Sequence, residues 1–242
     1  MKIRVWKELD REAQEFVMRR AEIDITSYIE VATEVSNDVR KNGDAAVLKY
    51  TEKFDKVALK QDKLKVTQQE IDAGYERLDP KTREAIEYAA GNIRDFHSKQ
   101  LPEEMWFTEV DKGLMVGEKT TPITDVCLYV PRGKGSFPSV LLMLGVPAVV
   151  AQVPRIVVTT PPNENGGVDD AILAAAKIIG ITEIYKCGGI QAVAAVAYGT
   201  ETIPKCSKII GPGNSYVTAA KRVLSNYINT GLPAGPSEMT LL

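Results

Sequence analysis

Over the first hundred residues, apolar positions recur every three or four places. Beyond residue 122 they gather into short unbroken runs separated by turns. The first rhythm belongs to helices with one apolar face, the second to strands buried on both faces and alternating with helices. Ile25, Tyr28, Ile29, Ala32, Val35 and Val39 form the first stripe, with Asp24 as its N-cap. Gly43 ends that helix, and Asp44 caps a second one carrying Ala45, Leu48 and Tyr50. Thr67 and Glu70 stand at capping-box spacing and open a helix through Leu78. Asp79-Pro80 starts another, with Pro80 at the first helical position and Ala85, Ala89, Ile93 and Phe96 as its inner stripe. Between Met105 and Thr120 two β-type runs flank Asp111-Lys112-Gly113, a turn in which glycine suits the positive φ of a hairpin.

After Pro122 the predicted strands are Val126–Val130, Ile156–Thr160, Glu183–Cys187, Lys208–Ile210 and Met239–Leu242. Between them lie helices at Pro138–Leu144, Asp169–Ile179, Gln191–Tyr198 and Ser215–Tyr227. This alternation predicts an α/β fold, a doubly wound parallel sheet covered on both faces. It divides the chain into a helical segment with a hairpin (1–120), a sheet domain (121–238) and the first strand of a second sheet (239–242).

Composition narrows the partners more than the fold. Thirty basic against thirty-two acidic residues give a formal charge of −2, with the two signs interspersed, so no nucleic-acid face is expected. The longest apolar run, Val140 to Ala151, is well short of the roughly 20 residues that span a bilayer. With no signal-like start, and with Cys127, Cys187 and Cys206 too scattered for a CxxC pair, a cytoplasmic protein with reduced thiols is expected.

The candidate chemistry lies in Gly/Pro turns at the carboxyl ends of the strands, where parallel sheets bind ligands. Gly211-Pro212-Gly213-Asn214 opens a helix, and Asn214 reads either as an N-cap or as a donor to a ribose or phosphate. Cys187-Gly188-Gly189-Ile190-Gln191 repeats that geometry, and Gln191 reads as a ligand contact or as a solvated side chain. Tyr129 ends the first strand, either as a core ring or as a stacking surface. It is followed by Arg132 and Lys134, which suit phosphates. Pro233-Ala234-Gly235-Pro236-Ser237-Glu238 is a rigid turn or a plain connector. Neither glycine turn matches the dinucleotide fingerprint G-x-G-x-x-G. His97 is the one histidine and has no metal-ligand neighbours, so neither a zinc site nor a nucleophilic triad is expected.

Taken in order, these motifs resemble those of histidinol dehydrogenase. The likeness runs through Tyr129-Val130-Pro131, Phe137-Pro138-Ser139, Leu142 to Ala148, Gly188 to Ala192, Gly211 to Asn214 and Pro233 to Glu238. Upstream it includes Gly43-Asp44-Ala45 and Lys53-Phe54-Asp55. One departure is Arg132-Gly133, where that family has Gly-Gly. The resemblance implies a Rossmann-like domain in which Tyr129, Gln191 and Asn214 bind NAD and Ser237 contacts L-histidinol. It also implies oxidation of L-histidinol through the aldehyde to L-histidine, the last step of histidine biosynthesis, by a zinc-requiring homodimer. The family's zinc ligands and Glu-His pair lie downstream of the Ser-Glu turn, so no catalytic or metal-ligating residue is assigned in this chain. Two readings are open. The chain is the amino-terminal portion of such an enzyme (a fragment, a proteolysed chain or one half of a split enzyme) and inactive by itself, or it is a non-catalytic nucleotide-binding or assembly module.

Overall fold

A computed structural model describes residues 5–19, 25–133 and 135–232. Asp24 and the predicted strand Met239–Leu242 lie outside the described residues. Four parallel strands form the central sheet: β3 (Asp125–Tyr129), β4 (Arg155–Thr160), β5 (Glu183–Lys186) and β6 (Ile209–Ile210), in the order β5-β4-β3-β6. The chain winds outward from β3 through β4 to β5 and then returns to place β6 on the other side of β3. That reversal between β3 and β6 makes the sheet doubly wound.

Helices cover both faces. Helices α5 (Pro138–Val150) and α6 (Asp170–Ile179) pack on one side, α7 (Gly189–Tyr198) and α8 (Ser215–Val223) on the other. The opening helices add an outer layer to each. In one core α2 (Thr26–Tyr50) sends Ala32, Val35 and Val39 to meet Val157, Tyr185 and the alanine-rich α7. In the other, α3 (Gln68–Arg77) and α4 (Pro80–Ser98) bring Ile71, Ile86 and Ala90 against Leu128, Val158 and α6. Short α1 (Arg11–Met18) is capped by Asp10 and buries nothing. The hairpin of β1 (Met105–Asp111) and β2 (Leu114–Lys119) turns at Gly113 with φ 78° and is exposed along its whole length.

Local signals held where they were chemical. Thr67 and Glu70 form both hydrogen bonds of the capping box, and Asp79 caps α4 ahead of Pro80. The predictions failed where packing decides. The helix expected to stop at Leu144 runs on to Val150 through Pro147, because Gly145 lets it press against Ile179 and Ile181, and burial outweighs propensity. The helix expected to reach Tyr227 ends at Val223. In α4 the predicted stripe is half right: Ala89 and Ile93 pack against the core, but its most buried members are Ile86 and Ala90, while Ala85 and Phe96 are exposed.

Gly43 breaks α2 with φ 51° and ψ −131°, but Asp44 does not cap the helical stretch after the break. Its buried carboxylate instead accepts from Thr200 Oγ1 at 2.5 Å, from Gln61 Nε2 at 2.8 Å and from the Thr202 hydroxyl, while its N–H donates to Glu201 at 2.8 Å. The helical segment is thus latched to the loop after α7. A second tie joins buried Lys186, at the end of β5, to Glu70 at 2.5 Å. Burial raises the Glu70 carboxyl, but the Lys186 ammonium and the Thr67 contacts outweigh it and hold the group below its usual value.

Candidate functional site

The carboxyl ends of all four strands open on one cleft of about 340 Å³, beside the point where the strand order reverses. Tyr129 enters from the end of β3, Pro161 from the end of β4, Gly189 and Gln191 from the start of α7, and Asn214 from the start of α8. Phe54, Asp55, Arg132, Ile190 and Tyr216 complete the wall. Three residues singled out from the sequence, Tyr129, Gln191 and Asn214, therefore lie together although each comes from a different element.

Tyr129 is 4 % exposed, and its hydroxyl accepts the Gly189 N–H at 3.0 Å. The ring is both core and cleft wall. Burial pushes its phenol well above the usual value. Gln191 is fully buried, not solvated. Its Nε2 donates a long hydrogen bond to Asp55 Oδ2 at 3.4 Å, while Oε1 has no partner. Leaving such an acceptor unsatisfied costs about 1–3 kcal/mol, which a ligand donor would recover. Asn214 caps α8, its Oδ1 accepting from Val217 N at 3.1 Å. The N-cap reading is therefore met, and the same residue lines the cleft.

The glycine turns do two jobs. Gly211, at φ 133°, lies so close to the Tyr129 carbonyl that a Cβ would overlap its oxygen, and a Cβ on Gly188 would overlap Pro161. Bare backbone thus brings neighbouring loops together around the cleft. Lys221 Nζ donates to the Gly211 carbonyl at 2.6 Å and ties that turn down from within α8. Burial lowers its ammonium below the usual range. Both α7 and α8 also bring their amino ends, with their partial positive charge, to the cleft.

Arg132 stands in this wall and leans toward Asp169, with Nε 3.4 Å from Oδ2 and no hydrogen-bond geometry. Lys134 and Ser237, with the whole turn Pro233 to Glu238, lie outside the described residues. His97 sits on the outer side of α4, where its Nδ1 meets Gln100 Oε1 at 2.7 Å, away from the cleft. The three cysteines are buried. Among the described residues no group of three or more His, Cys, Asp or Glu could hold a metal ion, and no helix is long and apolar enough to cross a membrane.

The reading of the turns missed Asp55 and the two aromatic walls. Phe54 and Asp55 come from a single π-helical turn, Thr51–Asp55, that continues α2 and ends at Lys56 with φ 61°. Such turns gather at functional sites. Tyr216 is held edge-on by Tyr28 of α2 at 4.7 Å between ring centres. Asp55 has its carboxyl raised to about 6 by burial. A perturbed carboxylate in a cleft is the signal that marks it, and only the folded chain shows it. A larger open hollow of about 780 Å³ lies at the opposite ends of the strands, around Asp125 and Ser207. There the Asp125 carboxylate already receives the Ser207 N–H and hydroxyl.

Comparison with known proteins adds a family. The family model for histidinol dehydrogenase matches residues 18–242. A histidinol dehydrogenase homolog of Colwellia psychrerythraea is 44% identical over 242 residues, 100% of this chain and 54% of that protein. Histidinol dehydrogenase of Synechocystis sp. is 47% identical over 93% of this chain and 52% of its own length. The crystal structure of histidinol dehydrogenase from Elizabethkingia anophelis superposes with a TM-score of 0.83 at 40% identity, covering 89% of this chain and 49% of that one. The chain spans about half the length of the curated relatives it matches.

Proposed function

The chain belongs to the histidinol dehydrogenase family, a family of oxidoreductases, and from that premise we propose that its cleft binds NAD for the oxidation of L-histidinol through histidinal to L-histidine. The observation that carries this reading is the meeting of Tyr129, Gln191 and Asn214 at the reversal point of the sheet, with the buried Gln191 Oε1 left for a ligand.

The cleft suits a dinucleotide. Phe54, Tyr129 and Tyr216 offer flat apolar surfaces to rings, while the starts of α7 and α8 and the Arg132 guanidinium offer positive charge to phosphates. When bound, NAD supplies the hydride acceptor. The residues of this chain hold and orient it: Gln191 accepts from a hydroxyl or amide, and the amide of Asn214 reaches the ligand while its Oδ1 keeps the helix capped. Tyr129 keeps the Gly189 loop in place. The donors for a zinc ion are not gathered among the described residues, so no step is assigned to metal.

In this reading residues 121–238 form the NAD-binding domain, Ser237 contacts histidinol, and the protein works in the cytoplasm as a homodimer or with a complementary polypeptide that brings zinc and the proton-transfer groups. The chain alone is then expected to bind NAD without turnover. Incubated with L-histidinol, NAD and zinc, it yields no NADH. NADH formation without a second polypeptide would overturn this division of labour.

A second expected result concerns the contacts themselves. Gln191→Ala and Asn214→Ala each weaken NAD binding about tenfold by calorimetric titration, the worth of roughly one hydrogen bond. Asn214→Asp retains the cap and removes the amide donor, and so separates lost binding from the loss of about 1 kcal/mol that Ala brings to the helix. Unchanged affinity in Gln191→Ala and Asn214→Asp would take both residues out of the site.

A further inference from the structure

One end of the buried Gln191 amide is taken and the other is open, so the group at the taken end decides what the open end offers. An ionised carboxylate only accepts hydrogen bonds. Asp55 therefore draws the Nε2 side toward itself, at 3.4 Å, and leaves Oε1 buried, without a protein partner, and packed beside Gly189, a residue of the cleft wall.

We propose that Asp55 is a positioning residue: it fixes the polarity of the Gln191 amide so that the cleft presents an acceptor to a hydroxyl or amide N–H of its ligand. The inference rests on the dinucleotide reading for the identity of that ligand. NAD carries both kinds of donor, ribose hydroxyls and a carboxamide. ADP-ribose lacks the carboxamide. Asp55 does not act on the ligand itself. It keeps the amide from turning to present its N–H₂ group, which would set donor against donor.

The polarity has a built-in dependence on pH. Burial raises the Asp55 carboxyl to about 6. Above that value the carboxylate takes the N–H and Oε1 stays open. Below it the protonated carboxyl can donate to Oε1, the amide is free to turn, and binding weakens. Few other groups face Asp55. The Tyr129 phenol and Cys187 thiol are both raised by burial and keep their protons from about pH 5 to about pH 8. The Arg132 guanidinium shares the cleft. On the turn that carries Asp55, Lys53 lies over the Tyr50 and Phe54 rings and Lys56 bonds to the Lys53 carbonyl.

The test has two independent readouts on the purified chain. In ¹⁵N–¹H spectra the Gln191 side-chain amide is expected to titrate with a midpoint near 6 in the wild type and to stay fixed in Asp55→Asn. In titrations with NAD, Asp55→Asn and Gln191→Glu each weaken binding about tenfold. The double variant returns to within about threefold of wild type, because the new asparagine donates to the new glutamate and leaves its second oxygen as the acceptor. A merely structural role for Asp55 would not produce that rescue. Loss with both NAD and ADP-ribose assigns the donor to the shared ADP-ribose portion, a ribose hydroxyl or the adenine amino group, and loss with NAD alone to the carboxamide.

A Gln191 amide indifferent to Asp55, or a double variant no better than its weaker parent, overturns the inference. A wild-type chain that fails to bind NAD while its Gln191 amide still follows Asp55 overturns the dinucleotide reading and leaves the positioning role standing.

Discussion

Replacing Gly211 with alanine is expected to cost about 4 kcal/mol of stability and to abolish measurable NAD binding. Two penalties add. At φ 133° an L-residue is strained by about 1–3 kcal/mol. The new methyl would also overlap the Tyr129 carbonyl oxygen, and forced overpacking costs a further 1–3 kcal/mol or so. The obstacle is backbone in β3, which pairs with β6 through Leu128 and Ile210 immediately before the turn. The turn cannot yield without moving Tyr129 or Asn214, both of which line the cleft. Gly180→Ala is the control: φ there is 79°, but the space around it is open, so only a conformational cost of about 1 kcal/mol is expected. Urea unfolding of the two variants separates strain from collision. Equal losses would mean that the close approach of Gly211 to Tyr129 contributes nothing.

Asp44→Ala is expected to destabilise the chain by about 3 kcal/mol, read as a lower urea midpoint at unchanged slope. The substitution removes no large apolar group. It leaves the Thr200 and Thr202 hydroxyls and the Gln61 amide facing an empty, largely dry site, at a position only 2 % exposed. Asp44→Asn keeps one acceptor and should recover part of the loss. A loss below about 1 kcal/mol in Asp44→Ala would show that water replaces the carboxylate and that the latch is not a stabilising one.

What could be read from the chain and what could not divides along physical lines. Caps and turns are local chemistry: Thr67 with Glu70, Asp79 with Pro80 and the Gly113 turn satisfy their own backbone groups within a few residues, so their identities predict their structure. The position of the glycine turns, and of Tyr129, Gln191 and Asn214 around them, was legible because they follow strands whose apolar runs are plain; the burial of Gln191 was not, since its partner Asp55 lies far along the chain. Pro147 is a local signal that distant contacts overrule, because the helix it should break is clamped against α4 and α6. The phase of α4 is likewise set by its partners, which choose Ile86 and Ala90 over Ala85 and Phe96. Asp44 reads as a cap because its neighbours in sequence suggest nothing else, and its true partners lie on a loop far along the chain. Asp55 escaped for the same reason. A lone aspartate at the end of a helix carries no mark of function until α2 packs against α7 and sets it beside Gln191.

The sandwiching of the sheet by the opening helices has a consequence for how the protein comes into being. Residues from α2, α3 and α4 leave the ribosome before any strand of the sheet, yet their apolar faces are buried largely against Val157, Leu128, Tyr185 and the helices α5 to α8, all synthesised later. Until then those faces meet water or a chaperone. These helices, made before the sheet, should be among the last elements to settle, acquiring lasting protection against hydrogen exchange only after translation has passed the fourth strand.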